Sequence, residues 1–175
     1  TALGDLRFGE NTSTFYQDQI ELPFFMQHLK QAGPAGLPEA YVFETGANAW
    51  RRYPRWPPPD ALVRVFYLRA GPRLVRDQRP RAGEPVADEF VSDPNRPVPF
   101  IGTTVNTMVR EYMTADQRFA TQRPDVLVYS TAPLDEPVTV AGPITVDLVV
   151  STTGTDADWV VKLVDVFPDD AMDPS

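Results

Sequence analysis

Residues 144–150 read ITVDLVV and residues 159–166 read WVVKLVDV, and these two stretches decide the fold class. β-branched and apolar side chains dominate both, and the segment 151–158 between them is rich in the small and polar residues of turns. Asp147 and Lys162 interrupt the two runs as single polar positions, as expected where a strand shows one face to solvent. The pair predicts two strands of an antiparallel β-structure.

Shorter runs of the same kind continue outward along the chain, bounded by Pro, Gly, Asp and Asn. They are residues 41–43, 62–68, 126–129 and 138–140. Residues 80–99 are rich in proline and charge, which predicts a long ordered connection with residues 90–91 as a weak strand. No helical pattern alternates with the later runs, so the sequence favours an antiparallel sandwich over a parallel sheet.

The first 33 residues follow a helical pattern instead. Residues 11–14 supply candidates for the N-cap, and residues 14–17 fit the spacing of a capping box. Side chains recur with helical spacing at Ile20, Phe24 and His28, with Phe25 and Leu29 on the adjoining stripe. Pro23 lies inside the pattern, which predicts a kinked or two-part helix of roughly five turns that Gly33 ends.

Composition excludes several classes of protein. The net charge of −8 argues against a nucleic-acid partner, and the arginines at 51, 52 and 55 fit a solvated or domain-docking turn better than a phosphate site. The absence of cysteine excludes disulfides, thiol nucleophiles and Cys-type zinc sites. No stretch approaches the ~20 apolar residues that span a bilayer, so no membrane segment is predicted. Cytoplasmic and exported locations both stay open.

Catalytic and metal-binding groups are sparse in this sequence. No Gly-x-Ser-x-Gly elbow occurs, and the single histidine, His28, has the flanks of a helix side rather than of a catalytic base. Glu21 is a weak metal partner for His28, and we reject the pair. Asp156 and Asp158 could offer oxygen ligands to calcium, but a turn in which they cap backbone amides is favoured. We predict no catalytic residue, no metal site and no cofactor.

Two further groups of residues leave alternatives open. Lys162 and Asp165 lie at odd spacing in one run, so they face opposite sides, each toward solvent or toward a domain interface. Trp50, Trp56 and Trp159 could offer stacking surfaces, which makes a binding module for carbohydrate or protein the rival hypothesis. A structural scaffold between domains, with no ligand of its own, is a third.

Segments in series along nearly the whole chain match one enzyme family. They are residues 44–51, residues 91–99, Asp116-Gln117-Arg118-Phe119 with residues 123–127, residues 131–142, and residues 151–168. Together they resemble the group of cocaine esterase, α-amino acid ester hydrolase and X-prolyl dipeptidyl aminopeptidase. The sequence GTDADW at 154–159, with the Phe24–Phe25 pair, places the nearest resemblance in the α-amino acid ester hydrolase branch.

This resemblance implies an α/β-hydrolase domain followed by a jelly-roll (galactose-binding-like) β domain. Residues 1–33 would form the helical end of the hydrolase domain, and residues 38–175 the N-terminal part of an incomplete jelly-roll sandwich. The chain would be an internal fragment, with the family's catalytic Ser, Asp and His all before Thr1. The resemblance therefore implies a serine hydrolase that cleaves esters or amides through an acyl-enzyme, with no cofactor; a homo-oligomer stays open.

One contribution to the active site is implied within this chain. In the family, a jelly-roll loop ahead of the Asp-Gln-Arg motif helps to wall the acyl pocket, and residues 105–113 match it. Asn106 and Thr107 stand where the cocaine-esterase branch has bulkier apolar residues. Polar or amino-acid acyl groups are thus favoured over benzoyl groups, and a plain interdomain loop is the equal alternative.

Overall fold

The computed structural model describes residues 1–4, 6–84 and 87–168 and shows a mainly β chain, as the sequence predicts. Its strands form three two-stranded antiparallel sheets: β1 (Ala2–Leu3) with β2 (Leu6–Arg7), β3 (Ala40–Glu44) with β4 (Ala49–Tyr53), and β5 (Phe66–Arg69) with β6 (Arg73–Arg76). Within the described ranges, no helix is long and apolar enough to cross a membrane. The jelly-roll closure and the division at residues 33–38 stay predictions.

The N-terminal helix consists of three consecutive parts. They are α1 (Thr12–Tyr16), a π-helical segment (Gln17–Glu21) and α2 (Leu22–Lys30). Pro23 lies in the first turn of α2, directly after the π-helical segment. Proline has no N–H and clashes with the carbonyl four residues earlier in a regular helix, and a π-helical turn changes that spacing. The helix therefore changes its hydrogen-bonding pattern next to Pro23, where the sequence predicts a kink or a division.

The ends of this helix differ in detail from the sequence prediction. Asn11 is the N-cap, and its side-chain oxygen accepts a hydrogen bond from the Thr14 backbone N at 3.4 Å. Thr14 itself lies inside α1, so the capping box predicted at 14–17 is wrong. At the other end Gln31 adopts a left-handed conformation with φ of 53°, which ends the helix two residues before Gly33.

The β3–β4 hairpin supplies the packing partner for the first turn of the helix. Phe15 stacks on Trp50, with ring centroids 4.8 Å apart and planes 19° from parallel, and meets Tyr41 edge-on at 5.8 Å. Phe43 meets Trp50 at 5.4 Å and Phe8 at 5.6 Å. Because aromatic side chains bury large areas, this cluster joins the helix to the first hairpin. The apolar side chains of α2, in contrast, are exposed.

Several predicted strands form no ladder within the part of the chain that the structure describes. The runs at 138–140, 144–150 and 159–166 and the weak strand at 90–91 carry none, and 62–68 contributes only its last residues to β5. The run at 126–129 ends in one parallel bridge, between Ser130 and Arg73. A strand needs a hydrogen-bonded neighbour, and the alternating pattern of side chains does not specify one.

The alternation itself is nevertheless visible in the last two runs. One shallow groove is lined by Val146, Leu148 and Val150 from the first run, and by Trp159 and Val161 from the second. These side chains stand two residues apart in each run, which is the spacing of one face of a β-strand. The two runs therefore meet through the apolar faces that the sequence predicts for them.

Candidate functional site

The predicted pocket-wall residues lie on a surface loop of residues 101–116. Asn106 and Thr107 are both exposed, in a bend at the far part of this loop, and Met108 beside them is 71% exposed. A 3₁₀ turn at Arg110–Met113 follows them. The tip of the loop thus presents two polar side chains and one apolar side chain outward, and their contact with an acyl pocket stays a prediction.

Aromatic contacts close the base of this loop. The ring of Phe100, which precedes it, meets the ring of Tyr112 edge-on at 6.2 Å between centroids. Gly102 lies against Phe119, and a Cβ atom at Gly102 would stand 3.1 Å from the Cδ1 atom of that ring. A compact surface loop whose two ends lie close together is an Ω-loop, a class that is frequently functional. Glycine at position 102 permits this close approach.

The loop is also tied to the N-terminal strands. The hydroxyl of Thr114 donates a hydrogen bond to the Leu3 carbonyl at 3.1 Å. Gly4, with φ of +57°, lies so close that a Cβ atom there would stand 2.7 Å from the Thr114 hydroxyl. These contacts span more than one hundred residues of sequence and attach the loop to the start of the chain.

Lys162 makes the third connection of this loop. Its Nζ donates to the side-chain oxygen of Gln117 at 2.7 Å and to the Phe100 carbonyl at 3.3 Å. The sequence left Lys162 either in solvent or at a domain interface; its side chain is exposed, and its Nζ also bonds to partners within the chain. No local pattern links position 162 to positions 100 and 117, so sequence reasoning missed this contact.

The two Asp–Arg motifs that follow the loop have structural roles. Asp116 accepts from the backbone N of Arg118 at 2.8 Å and from its Nε at 2.6 Å. Arg123 binds Asp125 through two parallel hydrogen bonds, of 2.8 and 2.6 Å, and also donates to the Arg96 carbonyl at 2.8 Å. The Arg123 guanidinium lowers the pKa of Asp125 below its ordinary value, since it stabilises the carboxylate.

His28 and the late aspartates belong to no group of described residues that could hold a metal ion. The His28 ring packs on Phe24 within α2, with 4.4 Å between centroids. Among the described residues, no group of three or more His, Asp or Glu could hold a metal ion. In the turn before Asp156, the Thr152 hydroxyl accepts from the Gly154 backbone N at 3.1 Å, so a threonine supplies a side-chain cap there.

The three tryptophans have separate surroundings. Trp50 belongs to the aromatic cluster, where Phe15 covers one of its faces. Trp56 is 39% exposed and meets Tyr53 edge-on, and Trp159 is 43% exposed and meets Phe90 edge-on. Trp50 is therefore part of an internal contact rather than an open stacking platform, which weakens the rival hypothesis of a binding module.

Comparison with known proteins assigns the family. Residues 32–173 match the family described as the X-Pro dipeptidyl-peptidase C-terminal non-catalytic domain. The chain belongs to this family. The match covers strands β3 to β6, the 101–116 loop and both Asp–Arg motifs, so most of the site described above lies within a non-catalytic domain.

Individual relatives are hydrolases. The chain is 37% identical to a cocaine esterase of Rhodococcus over 154 residues, which is 83% of this chain and 27% of that enzyme. It is 32% identical over 168 residues to a Mycobacterium bovis protein assigned as a serine esterase, covering 91% of this chain and 25% of that protein. The chain thus spans about a quarter of the length of these relatives.

A solved structure extends the comparison to the backbone. An aminopeptidase from a marine sediment archaeon of the Thaumarchaeota is similar with a TM-score of 0.68 and 36% sequence identity. The similarity covers 81% of this chain and 23% of the archaeal chain. Most of the chain therefore follows the backbone path of one part of a larger peptidase.

Proposed function

We propose that this chain is a non-catalytic part of a serine hydrolase that cleaves esters or amides through an acyl-enzyme, and that it scaffolds the catalytic domain. The observation that carries the proposal is the family match over residues 32–173, joined to the similarity to hydrolases of which the chain covers about a quarter. In such an enzyme the nucleophile and its base lie in the catalytic part, and the acyl-enzyme splits one difficult step into two easier ones.

The residues of the chain favour a scaffolding role over a catalytic role. The ring of the single histidine, His28, packs on Phe24 within a helix. None of the five serines, Ser13, Ser92, Ser130, Ser151 and Ser175, stands in a Gly-x-Ser-x-Gly elbow. The exposed apolar face of α2, with Phe24, Phe25 and Leu29, offers a surface on which the rest of the hydrolase domain could pack.

The 101–116 loop is the segment that would reach the substrate. Its tip carries Asn106 and Thr107, whose side chains offer hydrogen-bond donors and acceptors to an acyl group. Substrates with polar or amino-acid acyl groups would therefore be preferred to those with benzoyl groups. The closed base of the loop would keep the tip in a fixed place, which a pocket wall requires.

The experiment compares two proteins with one substrate. The isolated 175-residue chain and the complete protein encoded by its reading frame are each given an activated ester. The proposal predicts turnover by the complete protein, abolished by a serine-directed inhibitor, and none by the isolated chain. Turnover by the isolated chain that the same inhibitor abolishes would overturn the proposal.

A further inference from the structure

One ammonium group joins both ends of the 101–116 loop. Phe100 directly precedes the loop and Gln117 directly follows it, and Lys162 Nζ donates to an oxygen of each, at 3.3 and 2.7 Å. Lys162 itself belongs to the run 159–166, at least 45 residues further along the chain. The loop is thus closed at its base by a residue from a separate element.

The chemistry of this contact requires a donor at position 162. An ammonium has three N–H donors and no acceptor, and both of its partners here are oxygens. The Gln117 amide is oriented by a second contact, in which its Nε2 donates to the Ala115 carbonyl at 2.8 Å. Its Oε1 therefore faces Lys162, and an apolar side chain at 162 could not replace the charge-assisted hydrogen bond.

Gln117, one of the two partners of Lys162, is held by further hydrogen bonds of its own backbone. The Gln117 carbonyl accepts from the backbone N of Ala120 at 3.0 Å and of Thr121 at 3.2 Å, which begins the short helix α3 (Arg118–Thr121). Ala120 in this helix is buried. Lys162 thus links the run 159–166 to the start of this short helix.

We propose that Lys162 is a positioning residue that clamps the base of the 101–116 loop and thereby holds Asn106 and Thr107 at the substrate pocket. The part of this proposal that concerns the pocket rests on the proposed function, whereas the clamp itself does not. Lys162 need not touch the substrate, because it acts through Phe100 and Gln117. Loss of its donors should free the tip of the loop to move.

The first test measures hydrogen exchange of the loop in the complete protein. Lys162→Met should speed amide exchange in residues 101–116 by roughly 2- to 10-fold, the factor that corresponds to one hydrogen bond of ordinary net strength. Lys162→Arg, which keeps charged donors, should retain most of the protection. Lys30→Met, at the chain's other lysine, is the matched control and should change nothing there. Equal exchange in Lys162→Met and the wild type would overturn the clamp.

The second test separates the clamp from the proposed function. If the loop walls the pocket, Lys162→Met should raise KM for an ester roughly 2- to 10-fold with kcat little changed, and Lys162→Arg should restore KM. Faster exchange with an unchanged KM would support the clamp and overturn the pocket role. A complete protein without any esterase activity would overturn the proposed function, and exchange would still decide the clamp. Should Lys162→Met fail to fold, Gln117→Leu removes the shorter of the two bonds and must also speed exchange in residues 101–116.

Discussion

At the scale of single residues, two neighbouring Asp–Arg pairs have the same chemistry but different exposure. The side chains of Asp125 and Arg123 are 11% and 29% exposed, and those of Asp116 and Arg118 are 53% and 87% exposed. Solvent screens exposed ion pairs, so the sheltered pair should contribute more to stability. Bidentate geometry adds to its strength.

We therefore expect Asp125→Asn to lower the melting temperature by a few degrees and Asp116→Asn to lower it less. The pKa of Asp125 is lowered in the folded state, so its contribution is present above the unfolded pKa of about 3.9 and is lost as the pH falls below it. Thermal unfolding at neutral and acidic pH checks both points. Equal decreases in melting temperature for the two variants at neutral pH would contradict the larger contribution of the less exposed ion pair.

Tyr129 should make stability depend on pH in the opposite direction from Asp125. Burial raises the pKa of Tyr129 to about 12, and the hydrogen bond that its hydroxyl donates to Asp88, at 2.5 Å, adds to the rise. The unfolded tyrosine ionises near pH 10, so the free energy of unfolding should fall between about pH 10 and 12. Tyr129→Phe should remove this part of the decline. Denaturant unfolding across that pH range measures it, and an unchanged slope in Tyr129→Phe would contradict the assignment.

At the scale of elements, the helix and the β3–β4 hairpin depend on each other through Phe15 and Trp50. Phe15→Ala should cost about 2 kcal/mol, because it removes a partly buried ring stacked on Trp50. Tyr16→Ala is the control, since Tyr16 is 46% exposed, and should change stability by less than about 0.5 kcal/mol. Chemical unfolding followed by tryptophan fluorescence measures both. Equal costs would show that the helix does not depend on the hairpin.

The loop tip supports a prediction about substrate choice. Asn106→Leu in the complete protein should raise kcat/KM for an apolar aromatic acyl ester relative to a polar one by about tenfold, because it replaces an amide with an apolar side chain in the pocket wall. Met108, which is also exposed on this loop, supplies the control substitution Met108→Leu. The ratio of kcat/KM for the two esters is the measurement. An unchanged ratio in Asn106→Leu would favour a plain interdomain loop.

An element can be predicted from the sequence where interactions between neighbouring residues determine it. Pro23 and the capping residues 11–14 predict the helix and its break, because these effects act within one or two turns. Alternation in residues 144–150 and 159–166 predicts which side chains share a face. It does not choose a partner strand. The Phe15–Trp50 stack and the Lys162–Gln117 bond join residues 35 and 45 positions apart, and no periodicity encodes such pairs.

At the scale of the whole molecule, the chain presents large apolar surfaces together with a closed polar loop. Phe24, Phe25 and Leu29 on α2 are exposed, as are Val149 and Val160 in the last two runs. Exposed apolar patches of this kind mark sites of association. This distribution agrees with a domain that functions against a second body, which in the proposed function is the catalytic domain of the same enzyme.

Locating the reactive serine tests the proposed function. The complete protein is labelled with a fluorophosphonate, which reacts with activated serines, and the labelled peptide is identified by mass spectrometry. The proposed function predicts one labelled serine, in a Gly-x-Ser-x-Gly sequence outside these 175 residues, with loss of esterase activity in proportion to labelling. A label on Ser13, Ser92, Ser130, Ser151 or Ser175, or no label on an active protein, would contradict it.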